Sequence, residues 1–133
     1  MTQTAPHTHP VRVYYEDTDL AGIVYYANYL RFIERGRTEY VRARGIDQAA
    51  LREETGIVFA VRRVEADYLA PARFGDDLSV ETEVEAIKGA SLTMRQRVTR
   101  SGQVLFDARV VLVALDGAGR AARLPADIRR LLG

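Results

Sequence analysis

Two acidic residues, Asp17 and Asp19, close the short apolar segment Val11-Arg12-Val13-Tyr14-Tyr15. Leu20-Ala21-Gly22 follows as a turn, and from about Tyr25 the chain takes up helical periodicity. That order sets a carboxylate beside a helix N-terminus, where backbone N–H groups are unpaired and the dipole is positive. A carboxylate can attack a carbonyl carbon or activate the water that does so. Unpaired N–H groups can hold the oxygen on which charge develops. The plainer reading of Asp19 is a turn or helix cap, favoured by about 1 kcal/mol. For Asp17 the structural reading is preferred, as an acceptor for turn N–H groups.

Few other residue types are available for chemistry. The only histidines are His7 and His9, and there is no cysteine. Both histidines lie in the polar stretch 1–10, expected to be a disordered tail. Ser-His-Asp and Cys-His catalysis therefore cannot be built in the expected ordered domain. No metal site is expected, since His7-x-His9 alone would hold an ion only weakly. Neither GxxxxGK[ST] nor GxGxxG occurs, so no nucleotide loop is expected. Acid–base or nucleophilic work falls to a carboxylate, with tyrosine as the alternative.

The elements that must position these residues are readable from periodicity. Val11 to Tyr15 reads as a strand and Tyr25 to Arg44 as a helix, with Tyr26, Tyr29, Leu30, Ile33, Tyr40 and Val41 near the 3.6 period. Gly36 interrupts that helix at a cost of about 1 kcal/mol, which suggests close approach to another backbone. Arg35 and Glu39 have the spacing of an i,i+4 pair. A short helix from Ile46 to Glu54 ends at Thr55-Gly56. Four strands follow, at Ile57 to Tyr68, Leu78 to Ile87, Leu92 to Thr99 and Val104 to Leu115. The second sets Leu78, Val80, Val84 and Ala86 against Ser79, Glu81, Glu83 and Glu85. Lys88-Gly89-Ala90-Ser91 reads as a hairpin turn. From Val110 the last strand is apolar on both faces, so both are expected to be buried, one by a partner chain. Residues 125–132 read as a terminal helix with proline at N1. An α+β fold follows, one domain over 11–133, with a curved antiparallel sheet of about five strands wrapped round one long helix.

Composition narrows the partners. The 133 residues are 47% hydrophobic, enough for a core that hides roughly two-thirds of the unfolded surface. A net charge of +1 gives no pull toward nucleic acid, and no apolar run approaches a membrane span. The N-terminus lacks the apolar stretch of a secretory signal, so a cytoplasmic location is expected. Lys88 is the only lysine among 19 basic residues.

The residues also match a known pattern. Val11-Arg12-Val13-Tyr14-Tyr15-Glu16-Asp17-Thr18-Asp19 with Gly22-Ile23-Val24-Tyr25 is its signature block. Tyr29, Glu34-Arg35, Arg37-Thr38-Glu39, Glu65-Ala66-Asp67-Tyr68, Ala70-Pro71-Ala72-Arg73 and Gly89-Ala90-Ser91-Leu92 follow in order. From Val11 to about Arg129 the chain resembles the 4-hydroxybenzoyl-CoA-thioesterase-like hotdog proteins, and within them the acyl-CoA thioesterases associated with the Tol–Pal system.

The resemblance implies a hotdog fold and hydrolysis of acyl-CoA without metal or cofactor, coenzyme A being part of the substrate. It implies dimers joined edge to edge, often paired into tetramers, with the site at the interface. A position near the inner membrane and an acyl-carrier-protein substrate belong to the same set of expectations. Asp19 matches the catalytic aspartate, Gly22 the glycine that lets backbone approach the ligand, and Tyr26 the residue whose N–H polarises the thioester carbonyl. Tyr25, Lys88, Gly89 and Ser91 fall in the substrate-binding set, with Arg62 and Arg63 within reach of the same phosphates. Many members of the Tol–Pal branch carry histidine where this chain has Tyr26, while aromatic-acyl relatives can carry tyrosine, a difference that bears on acyl preference. Glu34 and Glu39 are read as a solvated helix face rather than as catalytic acids. A hotdog dehydratase would need a histidine. A non-catalytic acyl-CoA or acyl-carrier-protein binding module is the alternative function.

Overall fold

The computed structural model describes residues 5–133. The expected tail at 1–4 lies outside the described residues. The strand expected from Val11 begins earlier: His7–Arg12 form β1, paired antiparallel with the third strand through His9↔Val80 and Val11↔Leu78. The two histidines therefore belong to the sheet. The His7 ring packs edge-on to Tyr40, in the last turns of the long helix.

That helix, α1, runs Asn28–Ala43 and buries Tyr29, Phe32, Ile33, Gly36, Tyr40 and Val41 along one stripe. It starts three residues later than expected, because Tyr25 to Ala27 form a turn leading into it. A short helix α2, Gln48–Thr55, is capped by the Asp47 side chain and closed by left-handed Gly56. The strands β2 (Val58–Tyr68), β3 (Asp77–Ile87), β4 (Ser91–Arg100) and β5 (Gln103–Leu115) complete one sheet, and α3 (Ala126–Leu132) ends the chain. The order is β1-β3-β4-β5-β2, antiparallel at every pairing. Register shifts at Val61/Arg63, Val84/Ala86 and Val98/Thr99 bend three of the strands. The shift in β3 turns Ala86 out to solvent, against the alternation expected for it.

The helix lies against β1, β3 and β4. Gly36 is what allows it so close, though the near neighbours are side chains rather than the expected backbone. A Cβ there would stand 2.4 Å from Val80 Cγ1 and 3.3 Å from Thr82 Oγ1. Gln96 crosses the same interface fully buried. Its amide donates to Ile33 O at 2.8 Å and Thr82 Oγ1 at 2.9 Å, and its carbonyl accepts from Arg37 at 3.0 Å. Gln96 is thus satisfied within this interface.

The other sheet face is charged. Arg95 makes two bonds to Asp107, Arg97 lies near Glu81 and Asp107, and Arg109 pairs with Glu85. Hydrogen bonding from Arg95 holds the Asp107 carboxyl below its usual range, outweighing burial. Val111, Val113 and Leu115 on β5 are only half-buried in the single chain, where burial on both faces was expected. The expected Arg35–Glu39 pair is not made: Glu39 pairs with Arg42 at 3.1 Å, and the Arg35 guanidinium sits over Phe32.

Candidate active site

A single 3-10 turn at Tyr15–Asp17 ends β1's extension and drops Asp17 into the interior, where it is only 5% exposed. One carboxylate oxygen accepts the Tyr14 N–H at 2.8 Å, and the other accepts the Asn28 side-chain amide at 2.9 Å. Its backbone carbonyl accepts the Tyr25 N–H at 2.9 Å. Asp17 thereby ties the loop to the first residue of α1, the structural role expected for it. Its negative charge at that end also suits the helix dipole.

Asp19 comes out differently. It is exposed, and its backbone forms a turn with Gly22 N–H donating to Asp19 O at 3.0 Å. One carboxylate oxygen accepts Ala21 N–H at 2.9 Å, which fixes the side chain and leaves the other oxygen free among the described residues. Gly22 takes φ +79°, and a Cβ there would meet nothing within 4 Å. The turn therefore uses the left-handed freedom of glycine, and no protein atom crowds it. Thr18 and Val24 bridge across the loop, and Tyr25 follows close enough to Asp19 to feel its charge.

The backbone at Tyr26 is held on both sides. Before it, the Tyr25 carbonyl accepts Asn28 N–H at 2.8 Å. After it, the Tyr26 carbonyl accepts the Tyr68 hydroxyl at 2.8 Å. The Tyr26 N–H itself has no acceptor among the described residues. It is an open donor two residues ahead of the helix, near the positive end of the dipole, where a developing oxyanion can be held. The Tyr25 and Tyr26 rings lie 4.9 Å apart, both exposed. The Tyr26 hydroxyl, more than burial or the Asp19 charge, raises the Tyr25 phenol above its ordinary value. Tyr29 stacks on Phe106 at 5.0 Å and accepts the Ala72 N–H at 3.0 Å, so it is a core residue.

The remaining expected site residues lie elsewhere in the same chain. Lys88, Gly89 and Ser91 form the β3–β4 hairpin, where Lys88 N–H donates to Ser91 O. Arg129 braces that hairpin through the Lys88 and Gly89 carbonyls. Ser91 stands opposite Val113 on β5, whereas Tyr68, beside Tyr26, stands opposite Phe106. That interval is about 23 Å at the rise of a strand. One chain therefore does not bring the hairpin to Asp19. Arg62 is the extra residue of the β2 bulge and is exposed, while Arg63 pairs with Glu65. Glu34 is exposed beside a groove of about 280 Å³ that Arg37, Val41, Phe59, Val61 and Leu112 also line. Burial pushes the Arg37 guanidinium down, offset in part by Glu34. Among the described residues no group of three His, Cys, Asp or Glu could hold a metal ion. Asn28 and Tyr68 were not legible as site residues, because their partners are 11 and 42 positions away.

Residues 13–132 match the model of the thioesterase-like superfamily. The chain belongs to this family. Acyl-CoA thioesterase YbgC of Haemophilus influenzae is 43% identical over 121 residues, 90% of this chain and 89% of that protein. An aspartate-to-asparagine variant of 4-hydroxybenzoyl-CoA thioesterase, solved with 4-hydroxybenzoyl-CoA, superposes with a TM-score of 0.92 at 26% identity, covering 98% of this chain and 100% of that one. A thioesterase of Thermus thermophilus, complexed with coenzyme A and zinc, superposes with a TM-score of 0.84 at 34% identity, covering 97% and 98%. The expected hotdog fold is thus the fold of this thioesterase family, with α1 as its central helix and the five antiparallel strands as its sheet. No helix among the described residues is long and apolar enough to cross a membrane.

Proposed function

We propose that this thioesterase hydrolyses acyl-CoA to the free acid and coenzyme A, with Asp19 driving the attack. The observation that carries this reading is one loop, ahead of α1, that presents both a free Asp19 oxygen and an acceptorless Tyr26 N–H. As nucleophile, Asp19 forms an acyl anhydride while the C–S bond breaks, and water then cleaves the anhydride to free acid and carboxylate; as general base, it takes a proton from the attacking water and passes it to the leaving thiolate. The Tyr26 N–H takes the charge that grows on the carbonyl oxygen, and the thiolate of coenzyme A leaves and is protonated. No metal or other cofactor enters this scheme.

We assign the substrate's nucleotide end to a second chain. Lys88, Gly89 and Ser91 lie at the opposite end of β5 from the Tyr68 end, beside which Tyr26 sits. Strand β2 is a sheet edge with Val58, Val61 and Val64 exposed along it. Two chains joined along β2 would cover that edge and supply Arg62 and the hairpin from the partner. A tetramer built from two such dimers would cover the half-buried Val111, Val113 and Leu115.

Thiol release measured over short, long and aromatic acyl-CoA substrates tests the proposal beside Asp19→Asn. The variant is expected to fold as the wild type and to lose more than about 100-fold in kcat. A variant as active as the wild type would remove Asp19 from the mechanism. Coenzyme A binding without turnover in the wild type would instead mark a binding module.

A further inference from the structure

Five arginines are part-buried among the described residues, Arg37, Arg95, Arg97, Arg100 and Arg129. Three of them face carboxylates: Arg95 meets Asp107, Arg97 meets Glu81 and Asp107, and Arg100 meets Asp76. Arg129 donates to the Lys88 and Gly89 carbonyls. Arg37 differs. Its one hydrogen-bond partner among the described residues is the neutral Gln96 carbonyl, at 3.0 Å. Burial pushes its guanidinium below the ordinary value, and Glu34, one turn earlier, offsets this only in part. A guanidinium carries several N–H donors in a fixed fork, so most of those on Arg37 are unused. A charge withdrawn from water is costly until an opposite charge meets it.

Arg37 lines the groove of about 280 Å³ between α1, α2 and the β2–β5 side of the sheet. Val41, Phe59 and Leu112 give that groove apolar walls. Apolar walls with a few polar groups are the build of a small-molecule site, and the volume lies near the lower end of the usual range of about 300 to 1,000 Å³. We propose that this groove binds a small carboxylic acid with an apolar body, its carboxylate on the Arg37 guanidinium and its hydrocarbon against Val41, Phe59 and Leu112. The planar fork of arginine fits a carboxylate through two parallel hydrogen bonds. Glu34, exposed at the rim, disfavours a second negative charge, so the ligand is a monoanion. Arg37 lies more than two turns of α1 beyond Asn28, which anchors the catalytic loop, or about 14 Å along the axis. The proposal goes beyond acyl-CoA hydrolysis and does not depend on it.

Titration calorimetry of the full chain with octanoate and with benzoate tests this, with octan-1-ol as the neutral control. Saturable binding of an acid at one site per chain is expected, with a dissociation constant below about 10 mM, and the alcohol should bind at least about tenfold more weakly. Arg37→Gln removes the charge and should weaken the acid by at least about tenfold. That change also disturbs Gln96, so Gln48→Glu supplies a second variant. Gln48 lines the groove from the first turn of α2, is exposed, and tolerates an acidic residue there because it suits the helix dipole. Its carboxylate would compete for Arg37, so acid binding should weaken with the melting temperature unchanged. Asp19→Asn should bind the acid as the wild type does, whatever its effect on turnover. No saturable binding of either acid would overturn the proposal, as expected if a partner chain's carboxylate fills the groove instead. Equal affinity for octan-1-ol would overturn it too, as would undiminished binding in folded Gln48→Glu. Binding lost in Asp19→Asn would place the acid at the catalytic loop and overturn it equally.

Discussion

Asp17 and Asp19 stand two residues apart and do opposite things. The inward turn at Tyr15–Asp17 places the first carboxylate where it must be satisfied by Tyr14 N–H and Asn28, and leaves the second facing solvent. Removing the buried one should cost stability before chemistry. Asp17→Ala leaves the Tyr14 N–H and the Asn28 amide without their acceptor, and a loss of about 2–4 kcal/mol is expected in chemical denaturation. Activity should fall with it, since the head of α1 is no longer anchored. The sequence held both aspartates in plain view, and turn chemistry favoured the structural role for Asp17. It could not reveal that Asn28 is the partner, because that pairing exists only once the loop folds back on the helix.

At the scale of elements, α1 and the sheet meet where side chains are smallest. Gly36→Ala would raise helix propensity, yet its methyl would overlap Val80 Cγ1. Packing wins over propensity here: the variant should be destabilised by about 1–3 kcal/mol, read as a lower melting temperature. The outer sheet face sets the response to acid. The folded-state affinity of Asp107 for protons is lowered chiefly by Arg95. Its contribution to stability is therefore complete above the unfolded carboxylate value near pH 4 and is lost as pH falls through the folded value. Asp107→Asn should be less stable at neutral pH by no more than about 1 kcal/mol, and its melting temperature should decline less steeply below pH 4. The i,i+4 spacing of Arg35 and Glu39 suggested a pair that does not form, because Phe32 offers Arg35 a ring face and Arg42 takes Glu39.

For the molecule as a whole, the arrangement of strands explains why the expected site residues fall into two groups. β5 carries one group at each end, and β2 beside it is a bare edge. Val64→Asp on that edge should give a smaller particle in light scattering and lose turnover together with it. Intact activity in a protomer shown to be alone would mean that a single chain suffices.

Much of this protein was legible in the chain itself. Strand alternation and helical spacing set the order of elements, and the Asp-Thr-Asp-x-x-Gly-Ile-Val-Tyr block marked the candidate catalytic loop, because those signals are local and repeat with the period of the backbone or sit in one unbroken stretch. The tertiary structure decided what local signals cannot carry. It turned the histidines of the apparent tail into strand β1, since Thr8 and His9 find partners only on β3. It brought Tyr68 to Tyr26 and kept Lys88 away from Asp19, because contacts across the sheet depend on strand order and register rather than on distance along the sequence.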